Sequence, residues 1–102
     1  MEKDTAKDTT KEAAKEATKL AVIAIVVECE ESVRELNELL HGWSNYIIGR
    51  MGIPHRERNV SLISIAMDAP ADVISALSGN LGRINGVSAK VAYSKMPQQP
   101  VR

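Results

Sequence analysis

The sequence predicts an α+β domain whose strands and helices follow in the order βαββαβ. Three observations support this prediction. A continuous apolar run of strand length opens the domain, two later segments carry apolar residues at helical spacing, and three further segments carry the apolar patterns of strands. With short connections and right-handed crossovers, this order closes into a four-stranded antiparallel sheet with both helices on one face, which is the ferredoxin-like arrangement.

The first half of the domain is predicted to contain three strands and one helix. Residues 20–27 (LAVIAIVV) are rich in β-branched side chains, which favour a strand. Ser32 begins a capping-box pattern (SVRE), which predicts a helix start. Residues 46–53 and 60–67 are typical of two strands, and residues 54–59 have the length of a hairpin loop. The helix carries its apolar residues at Val33, Leu36, Leu39, Leu40 and Trp43.

The second half of the domain is predicted to contain one helix and the last strand. Pro70 suits the first turn of the helix, and Asp72 is placed favourably against the helix dipole. Gly82 and Gly86 provide helix stops, and residues 87–93 (VSAKVAY) alternate as a strand. The buried stripe of this helix is predicted at Val73, Ile74, Leu77 and Leu81.

We expect the folded domain at residues 20–95, between two tails. Residues 1–19 carry a lysine every four residues and no large apolar side chain after Met1. Such a segment has nothing to bury, so we expect a solvated helix or a disordered arm, with a docking arm as the alternative. Residues 96–102 hold two prolines and two glutamines, which are typical of a flexible tail.

Composition limits the classes of function. The 102 residues leave room for a single domain, and thirteen basic and thirteen acidic residues give no net field that would attract nucleic acid or an anionic membrane. One cysteine excludes an intrachain disulfide framework and fits a reducing cytosol. No run approaches the ~20 apolar residues of a membrane span, and the N-terminus lacks a secretory signal. We expect a cytoplasmic protein that contacts neither membrane nor nucleic acid directly.

Side chains alternate across a strand, so the predicted sheet has two faces. The face beneath the helices is the predicted core, formed by Ile23, Ile25, Val27, Ile47, Met51, Ile53, Ile63, Ile65, Met67, Val87, Val91 and Tyr93. The second face is predicted to carry Val22, Ala24, Val26, Tyr46, Ile48, Arg50, Leu62, Ser64, Ala66, Ser88, Lys90 and Ala92.

The second face is too apolar for a sheet face that contacts water. We therefore expect another copy of the chain to cover it, in a dimer or tetramer. Small side chains on this face would let the second layer approach closely. The predicted oligomer face consists of Val22, Ala24, Val26, Leu62, Ser64, Ala66 and Ala92.

The residues with nucleophilic, acid–base or metal-binding side chains do not form a catalytic or metal-binding motif. Cys29, His41 and His55 lack the close spacing of metal ligands, and no Ser/His/Asp group stands out, so we expect neither an enzyme nor a cofactor. Glu28, Glu30 and Glu31 would suit a cation site or an acid/base pair. A helix N-terminus also attracts carboxylates for structural reasons, and this interpretation is favoured.

The segment from Tyr46 to Gly52 is the best candidate for a working site. Arg50 is predicted to lie in mid-strand on the second face, where a guanidinium needs a carboxylate, a carbonyl or an anionic ligand. Glycines in a strand mark a bulge or a close backbone approach. Arg56 and Arg58 are interpreted as an exposed, charged hairpin loop. The candidate residues are Tyr46, Ile48, Gly49, Arg50 and Gly52.

Residues 45–70 (NYIIGRMGIPHRERNVSLISIAMDAP) and 74–95 (ISALSGNLGRINGVSAKVAYSK) closely resemble the iron-only hydrogenase system regulator family. The resemblance covers residues 20–95. It implies a ferredoxin-like fold similar to ACT domains and to the C-terminal domain of nickel-responsive regulators. By the ACT analogy, a small ligand would bind at a subunit interface near the first strand-to-helix junction, which makes Glu28, Cys29 and Glu30 candidate lining residues.

The leading hypothesis is an oligomeric regulatory module of an iron-only hydrogenase system, which senses a small-molecule effector or docks onto a protein partner. Any effect on transcription would act through a partner, because the chain has no recognisable DNA-binding domain. Two alternatives stay open: a metal-responsive regulatory domain, and a purely structural oligomerisation protein.

Overall fold

The computed structural model describes residues 17–95. These residues form one four-stranded antiparallel sheet with the strand order β2-β3-β1-β4, and two helices connect its strands. The α+β class and the ferredoxin-like βαββαβ order are therefore confirmed. The elements are β1 (Lys19–Val27), α1 (Val33–Gly42), β2 (Ile47–His55), β3 (Val60–Ala69), α2 (Ala71–Gly82) and β4 (Val87–Tyr93).

The predicted tails fall largely outside this range. The lysine-repeat arm was expected at residues 1–19, of which only residues 17–19 are described, and Lys19 is the first residue of β1. The tail expected at residues 96–102 lies outside the described residues altogether.

The core lies between the sheet and the two helices. In β1, Ile23, Ile25 and Val27 are almost fully buried, because every second side chain of this central strand points to the helix side. Among residues 17–95, the buried core cluster contains no aromatic side chain and consists mainly of branched aliphatic residues, and Trp43 packs against it partly buried. The helices and β3 contribute Leu36, Leu40, Ile63, Ile65, Met67, Ile74, Leu77 and Leu81 to the same cluster.

A set of polar contacts clasps the junction between β1 and α1 to the turn between α2 and β4. The amide of Glu28 donates to the carbonyl oxygen of Gly86 at 2.7 Å, and the hydroxyl of Ser32 donates to the carbonyl oxygen of Asn85 at 2.6 Å. Ser32 was expected to cap α1, but its side chain makes no cap hydrogen bond, because the hydroxyl is used in this longer-range contact. We call these contacts the junction clasp.

Gly86 permits the clasp to close. Its φ of +74° lies in the left-handed region, which side chains other than glycine rarely adopt. A Cβ at this position would stand 2.6 Å from the Cβ of Cys29 and 3.1 Å from its backbone nitrogen. The turn therefore needs both the conformational freedom and the small volume of glycine.

A β-bulge in β2 changes which of its side chains face the helices. Ile47 pairs with Met67, but Gly49 pairs with Ala66, so Ile48 is the extra residue. The expectation that Met51 and Ile53 belong to the core was wrong, since they pair with Ser64 and Leu62 on the face opposite the helices and are 62% and 54% exposed.

Because of the same bulge, the expectation that Arg50 lies on the second face was wrong. This residue pairs with Ile65 and Gly52 pairs with Ile63, so both lie on the helix side of the sheet and not on the second face. An inserted residue inverts the alternation of every residue after it, and a simple period-2 count cannot include it.

The two tyrosines also differ from their expected positions. Tyr46 lies in a single 3-10 turn before β2, not in the strand, and its ring contacts that of Trp43 at a centroid distance of 6.3 Å. Tyr93 pairs with Ala21 on the helix side, as expected, but it is exposed because it ends an edge strand. There its ring lies 5.1 Å from Lys19 Nζ.

We expect Gly86→Ala to lower the free energy of unfolding by at least about 2 kcal/mol, because the left-handed backbone and the overlap with Cys29 both oppose a side chain. Urea unfolding measures the change. Gly79→Ala is the matched control, because Gly79 lies inside α2 and a Cβ added there would have no atom within 4 Å. This substitution should stabilise the helix by ~0.5–1 kcal/mol. Equal stability of Gly86→Ala and the wild type would contradict the clasp.

Candidate functional site

The face of the sheet opposite the helices is here called the open face. β1, β3 and β4 pair without a bulge, so their alternation holds. All seven residues of the predicted oligomer face therefore lie together on it, and the bulge in β2 adds Gly49, Met51 and Ile53. That a second subunit covers this face stays a prediction. In full, the open face carries Leu20, Val22, Ala24, Val26, Gly49, Met51, Ile53, Leu62, Ser64, Ala66, Asp68, Ser88, Lys90 and Ala92.

The open face concentrates the exposed apolar side chains of residues 17–95. Five of the eight large hydrophobic residues that are exposed there belong to it: Leu20, Val22, Met51, Ile53 and Leu62. Four strands at ~4.8 Å spacing and about eight residues at ~3.3 Å rise give a face of about 500 Å². The largest apolar patch on a typical monomer covers about 300–600 Å² and is often functional, so this face is a candidate contact surface.

The segment expected to form one working site is divided between the two sides of the sheet. Arg50 Nη2 donates to Asn37 Oδ1 of α1 at 3.0 Å in an exposed contact, so the guanidinium has a neutral partner on the helix layer. Gly52 lies on the same side, whereas Gly49 lies on the open face. Ile48 is 63% exposed at the bulge. These residues therefore do not converge on one ligand.

The three residues expected to line a ligand site at the first strand-to-helix junction have different surroundings. Cys29 faces the junction clasp, where Asn85 Nδ2 lies 3.8 Å from its sulfur. Glu28 lines a hollow of about 390 Å³ beside Arg58 and Leu62, at the end of the open face. Glu30 lines a separate cleft of about 270 Å³ on the helix side.

The hairpin between β2 and β3 forms the other wall of both hollows. His55 lines both, Arg58 lines the open-face hollow, and Arg56 lines the cleft on the helix side. The sequence interpretation treated Arg56 and Arg58 only as an exposed loop, and it considered His55 as a possible metal ligand. The strand pairing explains their position, because Ser61 at the start of β3 pairs with Val27 at the end of β1. The turn that precedes Ser61 must therefore lie beside residues 28–30.

Metal binding receives no support from the described part of the chain, where no group of three or more His, Cys, Asp or Glu side chains is placed to hold an ion. His41 lies on α1 beside Arg34, Asn37 and Glu38. Neither helix within residues 17–95 is long and apolar enough to cross a membrane.

We expect the contact between Arg50 and Asn37 to contribute little to stability. A double-mutant cycle of Arg50→Ala and Asn37→Ala should give a coupling free energy of about 0.5–1 kcal/mol in urea unfolding, because the hydrogen bond is exposed. Since Arg50 lies on the helix side, Arg50→Ala should not change the sedimentation of the protein. A change in oligomeric state caused by this variant would contradict the register of β2.

Comparison with known proteins relates the chain to a protein family and to solved structures. Residues 19–91 match the family model of TM1266-like proteins, described as "Iron-only hydrogenase system regulator, putative". The uncharacterized protein TM1266 from Thermotoga maritima is 40% identical, with a TM-score of 0.73 over 76% of this chain and 99% of that chain.

A formyltetrahydrofolate deformylase from Pseudomonas putida KT2440 is 10% identical, with a TM-score of 0.56 over 76% of this chain and 29% of that chain. This likeness shows the fold alone. No curated protein matches the chain in sequence. From the family match and the Thermotoga relative together, the chain belongs to the TM1266-like family.

Proposed function

We propose that the chain is an oligomeric regulatory module of an iron-only hydrogenase system, and that two copies associate through their open faces. The observation that carries the proposal is the apolar character of this face in a protein whose hydrophobic core is complete without it. The family supplies the biological setting. The module acts by binding an effector or a protein partner, and not by catalysis.

The chemistry of the open face suits a second copy of the same chain. Its centre, around Ala24, Val26, Leu62 and Ser64, carries no charge, and its small side chains allow two sheets to pack closely. A two-fold axis makes an interface self-complementary, so each copy must supply both partners of any pair.

The charged side chains of the open face meet this requirement. Asp68 lies towards one end of the face, opposite Leu20, and Lys90 lies on the edge strand β4, opposite Ala24. A two-fold axis can place the lysine of each copy near the aspartate of the other. Such rim charges set the orientation of the copies, whereas burial of the apolar centre supplies most of the stability.

We expect Leu62→Lys to separate the copies, because it places a charge at the centre of the proposed interface. Sedimentation velocity at low micromolar concentration should show the wild type at a multiple of 11.1 kDa and the variant at 11.1 kDa. Leu62 is 45% exposed in the single chain, so the variant should keep its fold and its far-UV circular dichroism.

Ser75→Lys is the matched control, since it makes the same charge change on the exposed surface of α2 and should leave the oligomer intact. In a host that makes an iron-only hydrogenase, Leu62→Lys should also change hydrogenase activity relative to Ser75→Lys. A wild-type protein that sediments as a monomer would overturn the proposed assembly. An oligomer whose separation leaves hydrogenase activity unchanged would contradict the regulatory role.

A further inference from the structure

We propose that the cleft between Glu30 and the β2–β3 hairpin is an effector site, and that it takes a small organic acid with a hydroxyl or ammonium group at its other end. The inference deepens the proposed function, since it names the effector's site and chemical class. It rests on different residues from the open face.

Three parts of the fold form the cleft. Val27 and Glu30 come from the β1–α1 junction, Val33 from the first turn of α1, and Arg56 and Asn59 from the hairpin. The hairpin wall has a defined backbone, because residues Arg56–Arg58 form a 3-10 turn and the amide of Asn59 donates to the carbonyl oxygen of Arg56 at 3.2 Å. Asn59 adopts the left-handed conformation that ends this turn.

The two walls carry opposite charges that do not pair with each other. Within residues 17–95, neither the carboxylate of Glu30 nor the guanidinium of Arg56 forms a hydrogen bond or an ion pair. Arg50 and Arg83, by contrast, each donate to a nearby asparagine. His55 lies 3.8 Å from Glu57 at the exposed rim of the hairpin. The fold therefore holds a carboxylate and a guanidinium on opposite walls, both available to a third molecule.

This arrangement defines the chemistry of the ligand. A guanidinium binds a carboxylate through two parallel hydrogen bonds, and a carboxylate such as that of Glu30 accepts hydrogen bonds from an ammonium or a hydroxyl group. Val27 and Val33 offer apolar contact between these ends. A dianionic phosphate is disfavoured, because Glu30 would repel its larger charge. The volume of about 270 Å³ lies just below the range of roughly 300–1,000 Å³ that is typical of ligand pockets, so the ligand is small.

The position of the cleft connects it to the open face. One wall is held by the junction clasp, whereas the other is the turn of a hairpin whose strands carry Ile53 and Leu62 on the open face. A ligand that draws the hairpin towards Glu30 would therefore move residues of the proposed interface. The cleft itself lies on the helix side, where a second copy on the open face leaves it accessible.

The test uses four probes with one carbon skeleton: β-alanine, 3-hydroxypropionate, propionate and β-alaninamide. Titration of the full ¹⁵N-labelled chain, followed by NMR, should show that β-alanine or 3-hydroxypropionate shifts the amide signals of Glu30, Arg56 and Asn59. Propionate lacks the donor and β-alaninamide lacks the carboxylate, so each should bind at least tenfold more weakly. No shift with β-alanine or 3-hydroxypropionate up to 100 mM, or equal shifts with all four probes, would overturn the proposal.

Substitutions distinguish ligand binding in the cleft from association through the open face. Arg56→Ala and Glu30→Gln should each weaken binding at least tenfold, whereas Arg83→Ala and Glu35→Gln, which lie outside the cleft, should not. Arg56→Ala should leave the sedimentation unchanged. If the protein is a monomer and still binds β-alanine or 3-hydroxypropionate, the proposed assembly is wrong and the proposed effector site stands. If the protein is an oligomer and binds neither compound, the proposed effector site is wrong and the proposed assembly stands.

Discussion

The pairing of β1 with a neighbour on each edge is the constraint on which the other features depend. β1 pairs with β3 along its whole length and with β4 over its last seven residues. This double pairing sets which side chains enter the core and which form the open face, because a shift by one residue would exchange the two sets. It also places the end of β1 beside the β2–β3 turn. The apolar surface and the charged cleft are therefore two consequences of one register.

The fold could be predicted from the sequence where apolar spacing is regular. The β-branched run of β1 and the stripes of both helices identify their elements without knowledge of their partners. Two local features could not be found in this way. The bulge at Ile48 depends on how β2 pairs with β3, and the hydroxyl of Ser32 is used by Asn85, 53 positions away, instead of by the start of α1. Both involve partners that are distant in sequence.

The candidate site was predicted less well than the fold, for the same reason. Glu30 was identified from the junction, and Arg56 was noted in the hairpin, but only the pairing of Val27 with Ser61 shows that the two are neighbours. Arg50 was singled out by an argument that was sound for an unbulged strand. The signal that could have found this is the ferredoxin-like arrangement, because antiparallel pairing of β1 with β3 requires the hairpin turn to lie beside the end of β1.

The bulge in β2 decides which of its side chains reach the open face. If Ile48 paired with Ala66 in regular alternation, Arg50 would lie on the open face and Met51 on the helix side. The same amino acids would then present a charge where this chain presents a thioether. A relative that lacks residue 48 would keep Arg50 opposite Ile65 without any bulge, so a one-residue gap before Gly49 would leave the open face unchanged from Gly49 onwards.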